Sequence, residues 1–156
     1  MGDKAVRELV ARLLAWEDAH VGFDTAVADI PEELRGQRTG AHSAWELVEH
    51  MRLAQHDILD FSVNPNYKEM NWPEDYWPAT PAPPSRAAWD ESLAAFRRDR
   101  EALKQLAVDG ALDLTGKIPH GEGQTYLREL LLVADHTAYH VGQLVLVRQN
   151  LGIWKR

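Results

Sequence analysis

The chain has 156 residues, of which 45% are hydrophobic, and it carries a formal net charge of −7. This length predicts one domain, spanning residues 1–156, with enough apolar side chains to bury a core. The absence of a run of eighteen apolar residues argues against a membrane span. The acidic balance, with no basic stripe, argues against nucleic-acid binding. Because the first residues lack the basic and apolar regions of a signal peptide, a cytoplasmic location is expected.

The sequence contains no cysteine, which excludes disulfides and thiolate metal ligands. Any metal ion must therefore be held by His, Asp or Glu, and any thiol chemistry needs a thiol supplied from outside the chain. A phosphate-binding loop, a dinucleotide fingerprint and a serine-hydrolase elbow are all missing from the sequence.

Residues 3–28 are predicted to form the first helix, ended by Pro31. Its apolar side chains recur every three or four residues, and His20 falls on the same stripe. This position predicts a histidine of the core or of a pocket wall, rather than a metal ligand. The other members of the stripe are Leu9, Leu13, Trp16, Phe23 and Val27.

The second helix is predicted over residues 44–62. Ser43 and Glu46 have the spacing of a capping box at its start. His50 lies beside the apolar stripe of this helix and could face the interior, whereas His56 points away and is expected at the surface.

Residues 63–84 contain repeated prolines, which forbid a regular helix, together with four aromatic side chains. Long loops in small domains are often functional, and aromatic residues are rare in disordered linkers. The segment is predicted to be an ordered strap over one end of the molecule. A structural crossover that only covers core surface is the alternative.

A third helix is predicted from Ser85 to about Val108, and a fourth from the cap residue Thr125 to about Asn150. His120, in the loop between them, could reach the mouth of a site but is expected to be exposed. Four helices with two long connections predict an all-α four-helix bundle.

The fourth helix carries His136 and His140 one turn apart, on the inward stripe that also contains Val133, Leu144 and Val147. Two imidazoles at this spacing can chelate one metal ion. Gln143 could orient them, and His50 offers a third imidazole from another helix. The alternative is a pair of histidines that only form hydrogen bonds in the core.

Three histidine ligands leave positions open for water or substrate, which is typical of a catalytic metal site. Thr137 follows His136, so the helix lacks the His-Glu motif of zinc proteases. Glu46 and Asp135 are weak candidates for a catalytic base. Glu46 fits the capping box better, and Asp135 could instead orient a ligand or pair with another helix.

The segments Ser43-Ala-Trp-Glu-Leu-Val-Glu-His50 and Asp135-His-Thr-Ala-Tyr-His-Val-Gly-Gln143 resemble the DinB/YfiT-like superfamily of metal-dependent enzymes. The resemblance implies a four-helix bundle with up-down-down-up connectivity, and often a homodimer. It implies one divalent ion, zinc or nickel, held by His50, His136 and His140. Relatives include S-transferases that use a low-molecular-weight thiol as cosubstrate.

The sequence therefore favours an enzyme in which a divalent ion activates water or a low-molecular-weight thiol. The reaction would be S-transfer to, or hydrolysis of, a small electrophilic substrate bound between the ion and the strap. The alternatives are a module that holds a metal or small molecule without turnover and a purely structural helical bundle.

Overall fold

The computed structural model describes residues 2–155, and within this range it contains five α-helices. In chain order they are α1 (Gly2–Leu13), α2 (Phe23–Val27), α3 (Ala44–Val63), α4 (Arg86–Val108) and α5 (Tyr126–Asn150). Across residues 2–155 there is no β-strand, only an isolated bridge between Lys117 and Thr125. The prediction of an all-α fold is confirmed.

The three long helices begin where their capping residues predict. The Ser43 hydroxyl accepts the Glu46 amide at 3.1 Å, and the Glu46 carboxylate accepts the Ser43 amide at 2.8 Å, so the capping box of α3 is complete. Ser85 and Thr125 cap α4 and α5 through the same kind of bond. The second, third and fourth predicted helices are confirmed.

The prediction of one continuous helix over residues 3–28 is wrong. The chain leaves the helical path after Leu13 and resumes it only at Phe23. In the connection, the Glu17 carboxylate accepts the Gly22 amide and also the hydroxyl of Thr25 in α2, each at 3.1 Å. Glycine inside a helix costs about 1 kcal/mol relative to alanine, so a helix through Gly22 is disfavoured, and the two bonds stabilise the non-helical connection.

The break also changes which side chains of this region face inward. Leu9 is 48% exposed, whereas Val10 and Leu14 are buried. His20 is exposed and does not belong to the core. It borders a surface cavity of about 290 Å³ between the α1–α2 connection and α5, so the pocket-wall alternative describes it better.

Helix α3 lies between α4 and α5 and packs along both. Its buried residues Leu47, Val48 and Met51 join a core that includes Trp89 and Phe96 of α4, and Leu144 of α5 contributes to it from the other side. This packing brings the middle of α3 against the middle of α5.

By length and composition alone, α5 is apolar enough to cross a membrane. This is weak evidence, because the core helix of a soluble protein passes the same test. One side of α5 is occupied by packing, since Val133, Val141, Leu144 and Val147 are buried among other helices of the protein.

Candidate metal site

His50 of α3 and His136 and His140 of α5 meet between the two helices. Each offers one ring nitrogen, and these three atoms lie within 4.8 Å of one another. The ring centroids are 4.5 to 4.9 Å apart. His50 is 2% exposed and His140 is 8% exposed. The structure thus brings together the three histidines that the sequence predicts as metal ligands.

Hydrogen bonds set which nitrogen of two of these rings carries the proton. His50 Nδ1 lies 2.8 Å from the carbonyl oxygen of Tyr76, which can only accept, so Nδ1 donates. His140 Nδ1 donates in the same way to Gln143 Oε1 at 2.7 Å. The Nε2 atoms of both rings therefore keep a free lone pair. Bonds of this kind orient histidine ligands in metal sites.

His136 Nε2 lies 3.0 Å from His50 Nε2. Two nitrogen lone pairs cannot face each other at this distance without a proton or a cation between them. Two imidazole nitrogens on a tetrahedral ion, each about 2.0–2.1 Å from it, are separated by about 3.3 Å. The spacing and the nitrogen donor set therefore fit a divalent metal ion.

Burial also favours the uncharged form of these rings. It lowers the pKa of His50 and of His136 to about 4, and it lowers that of His140. At neutral pH all three imidazoles are therefore neutral. This is the form that binds a metal, so protons compete little for the site.

The predicted strap packs directly against the cluster. In the structure it is the segment between α3 and α4, residues 64–85. The Trp77 ring stacks on the His50 ring, with centroids 3.8 Å apart and planes within 1°. The His42 ring also stacks on Trp77, at 4.3 Å. This strap thus forms one wall of the site in contact with His50. His42 is not predicted as a site residue from the sequence; the signal for it is its position just before the cap Ser43, near the end of α3 that carries His50.

The two candidate bases lie in different surroundings. Glu46 is buried, accepts the Arg38 Nε proton at 2.8 Å and completes the cap of α3. The bond from Arg38 outweighs burial, so the pKa of Glu46 is lowered and the carboxylate is a weak base. Asp135 is exposed on α5, on another side of the helix from His136.

The remaining histidines lie away from the cluster. His56 is exposed and pairs with Asp99 at 2.9 Å, as predicted for a surface residue. His120 is exposed and contacts the carbonyl of Phe61 at 2.6 Å. Phe61 is eleven residues beyond His50 on α3, or about 16 Å along the helix, so His120 lies near the other end of α3.

The surface cavity beside His20 uses a neighbouring side of α5. Its wall includes Thr137 and Val141, which directly follow His136 and His140 in the sequence. Successive helical residues point about 100° apart, so the cavity and the histidine cluster lie on different sides of the same two turns.

Comparison with protein families adds independent evidence. Residues 7–144 match the DinB superfamily, a range that includes all three clustered histidines. Comparisons with curated proteins and with solved structures gave no significant match. Because the family match covers most of the chain, the protein belongs to the DinB superfamily.

Proposed function

We propose that this protein is a metal-dependent enzyme that acts on a small electrophilic substrate. The observation that carries the proposal is the convergence of three neutral, largely buried imidazoles from two helices. His50, His136 and His140 would hold one divalent ion, which would supply Lewis acidity to activate a water molecule or a low-molecular-weight thiol. The reaction would be hydrolysis or S-transfer.

The donor set supports zinc or nickel as the metal, because imidazole nitrogens suit both ions and the cluster offers no thiolate. The Tyr76 carbonyl and the Gln143 side chain hold two of the rings with Nε2 free. Trp77 covers one face of His50 and excludes water from it. Since the sequence has no cysteine, a reacting thiol would enter as a cosubstrate.

A metal-binding protein without turnover is the second candidate. The surroundings of the two predicted bases favour it. Glu46 is occupied by Arg38 and by the cap of α3. Asp135 points to solvent from α5. Chemistry at this site would therefore depend on groups brought by the metal or the substrate.

We also propose a cytoplasmic homodimer whose other partners are small molecules, rather than nucleic acids or membranes. The net charge of −7 supports the part concerning nucleic acids. The homodimer is supported by one side of α5, where Leu131, Tyr139 and Leu146 are 44%, 65% and 55% exposed.

The metal content of protein purified without a histidine tag tests the proposal. Elemental mass spectrometry should find about one zinc or nickel ion per chain in the wild type. His50→Ala should lose most of it, because the third ligand is missing. His56→Ala is the matched control, since it removes an exposed histidine of the same helix. A wild type that takes up neither ion would refute both candidate functions and leave a structural bundle.

Turnover separates the enzyme from the non-catalytic metal protein. We expect the metal-loaded protein to transfer one of several low-molecular-weight thiols to an electrophile such as a chloronitrobenzene, or to hydrolyse a small ester. The His136→Ala variant should be inactive. A protein that binds metal but turns over none of these substrates would favour the second candidate.

A further inference from the structure

A carboxylate of α3 fastens the strap to the helix that carries His50. Asp57 lies half-buried seven residues after His50, which places both on the same face of α3, two turns apart. Its Oδ1 accepts the Tyr67 hydroxyl at 2.8 Å and its Oδ2 accepts the Tyr76 hydroxyl at 2.7 Å. Both phenols belong to the strap.

Tyr76 is held at both of its ends. Its hydroxyl is bound by Asp57, and its backbone carbonyl accepts the Nδ1 proton of His50 at 2.8 Å. The next residue, Trp77, stacks on the His50 ring at 3.8 Å. The two contacts that orient His50 are therefore made by two adjacent strap residues, one of them tied to Asp57.

We propose that Asp57 is a positioning residue for the metal site: by fastening Tyr76, it holds the carbonyl and the indole that orient His50. The inference deepens the proposed function and rests on it for the role of His50 as a metal ligand. The hydrogen bonds of Asp57 go to Tyr67 and Tyr76 and not to the three histidines, so Asp57 acts through the strap.

The strap needs such an anchor because it has little regular structure of its own. Between α3 and α4 the only helical segment is the single turn Glu74–Tyr76. Burial and the bond to Asp57 raise the pKa of both phenols, so each stays an O–H donor to the carboxylate. Without the carboxylate, both bonds are lost together, and the Tyr76 carbonyl is free to leave His50.

The tautomer of His50 in protein treated with a chelator gives a direct test that does not depend on metal. Long-range ¹H–¹⁵N spectra of the wild type should show a proton on Nδ1 and a bare Nε2. Asp57→Ala should give a mixture of the two tautomers. Tyr76→Phe, which deletes one hydroxyl and keeps the backbone carbonyl, should give a smaller change in the same direction.

Metal affinity, measured by competition with a chromogenic chelator for zinc and for nickel, is the second readout. Removing groups that orient a ligand weakens metal binding about 10- to 100-fold. We expect Asp57→Ala to fall in this range. Tyr67→Phe should have less effect than Tyr76→Phe, because only Tyr76 contacts His50. Asp90→Ala is the control, since Asp90 is an exposed carboxylate of α4 that pairs with Arg86 of the same helix at 3.8 Å.

Each outcome decides a different point. An Asp57→Ala protein with the wild-type tautomer and wild-type affinity would overturn the positioning role and leave the proposed function intact. A wild type that binds no metal would refute the proposed function, and the spectra would still test whether Asp57 orients His50. If Asp57→Ala fails to fold, Tyr76→Phe decides: no change in its tautomer or affinity overturns the inference.

Discussion

Glu49 shows how a charged side chain is accommodated between α3 and α4. Its side chain is 15% exposed. The carboxylate accepts the Arg52 Nε proton at 2.9 Å and the Ser92 hydroxyl at 2.6 Å. Burial alone would raise the pKa of Glu49, but the bonds from Arg52 and Ser92 outweigh it and lower the pKa below the usual 4.5.

A pH-dependent contribution to stability follows from this shift. Because the folded pKa lies below the unfolded one, the stabilisation is complete above about pH 4.5 and is lost as the pH falls through the folded pKa. We expect Glu49→Gln to lower the free energy of unfolding at pH 7 by about 1–3 kcal/mol. The difference from wild type should shrink towards pH 3, as measured by urea unfolding.

Glu101→Gln is the control for this series. Glu101 is exposed and pairs with Lys104 at 2.9 Å, and surface ion pairs of this kind contribute little to stability. Its substitution should therefore change stability little at either pH. A Glu49→Gln deficit that stays constant from pH 7 to pH 3 would contradict the assigned network.

At the scale of elements, the strap is bound to α3 at two places besides His50. Asp57 binds it through Tyr67 and Tyr76. Near its end, the Pro81 carbonyl accepts the hydroxyl of Ser43, the cap of the helix. The connection before α3 also packs on the strap, since a Cβ at Gly36 would lie 2.8 Å from the Ala82 Cα.

The close approach at Gly36 predicts that this contact tolerates no side chain. A methyl group there meets the Cβ and the backbone of Ala82, neither of which can rotate away, so the connection or the strap must shift. We expect Gly36→Ala to destabilise the protein by about 1–3 kcal/mol in urea unfolding.

Gly40→Ala is the matched control, because a Cβ at Gly40 meets nothing within 4 Å. This substitution should change stability by no more than about 0.5 kcal/mol. Equal effects of the two substitutions would contradict the close contact between Gly36 and the strap.

At the scale of the whole molecule, α5 presents a packed side and an exposed side. One side packs on α3 and carries His136 and His140. The other exposes Leu131, Tyr139 and Leu146 within one arc of the helix. Exposed Asp135 lies in the same arc, so the face mixes apolar and polar side chains, as protein–protein interfaces do.

The proposed homodimer places this exposed face between two copies of the chain. In analytical ultracentrifugation the wild type should sediment as a dimer. Leu146→Glu should raise the dimer dissociation constant about tenfold or more, because it buries an unpaired charge. Val6→Glu on α1, at a side chain that is 51% exposed, should not change it. A wild type that stays monomeric at all concentrations would refute the homodimer.

The sequence by itself determined the features that depend on local spacing. Ser43, Ser85 and Thr125 predicted the starts of the three long helices, because a cap bonds to an amide only three residues away. The positions of His136 and His140 followed from helical periodicity. The helical fold class and the family also followed from local motifs.

Only the tertiary structure decided the features that join distant residues. Periodicity continued through Gly22, yet the helix ended at Leu13, and the Glu17 carboxylate accepts the Gly22 amide in the connection that follows. In the sequence Asp57 is an ordinary polar residue of a helix, and only the packing of the strap brings two phenols to its carboxylate. His50 takes its orientation from a carbonyl 26 residues away, and no local pattern encodes that contact. Such contacts depend on how a long connection packs, which neither spacing nor propensity specifies.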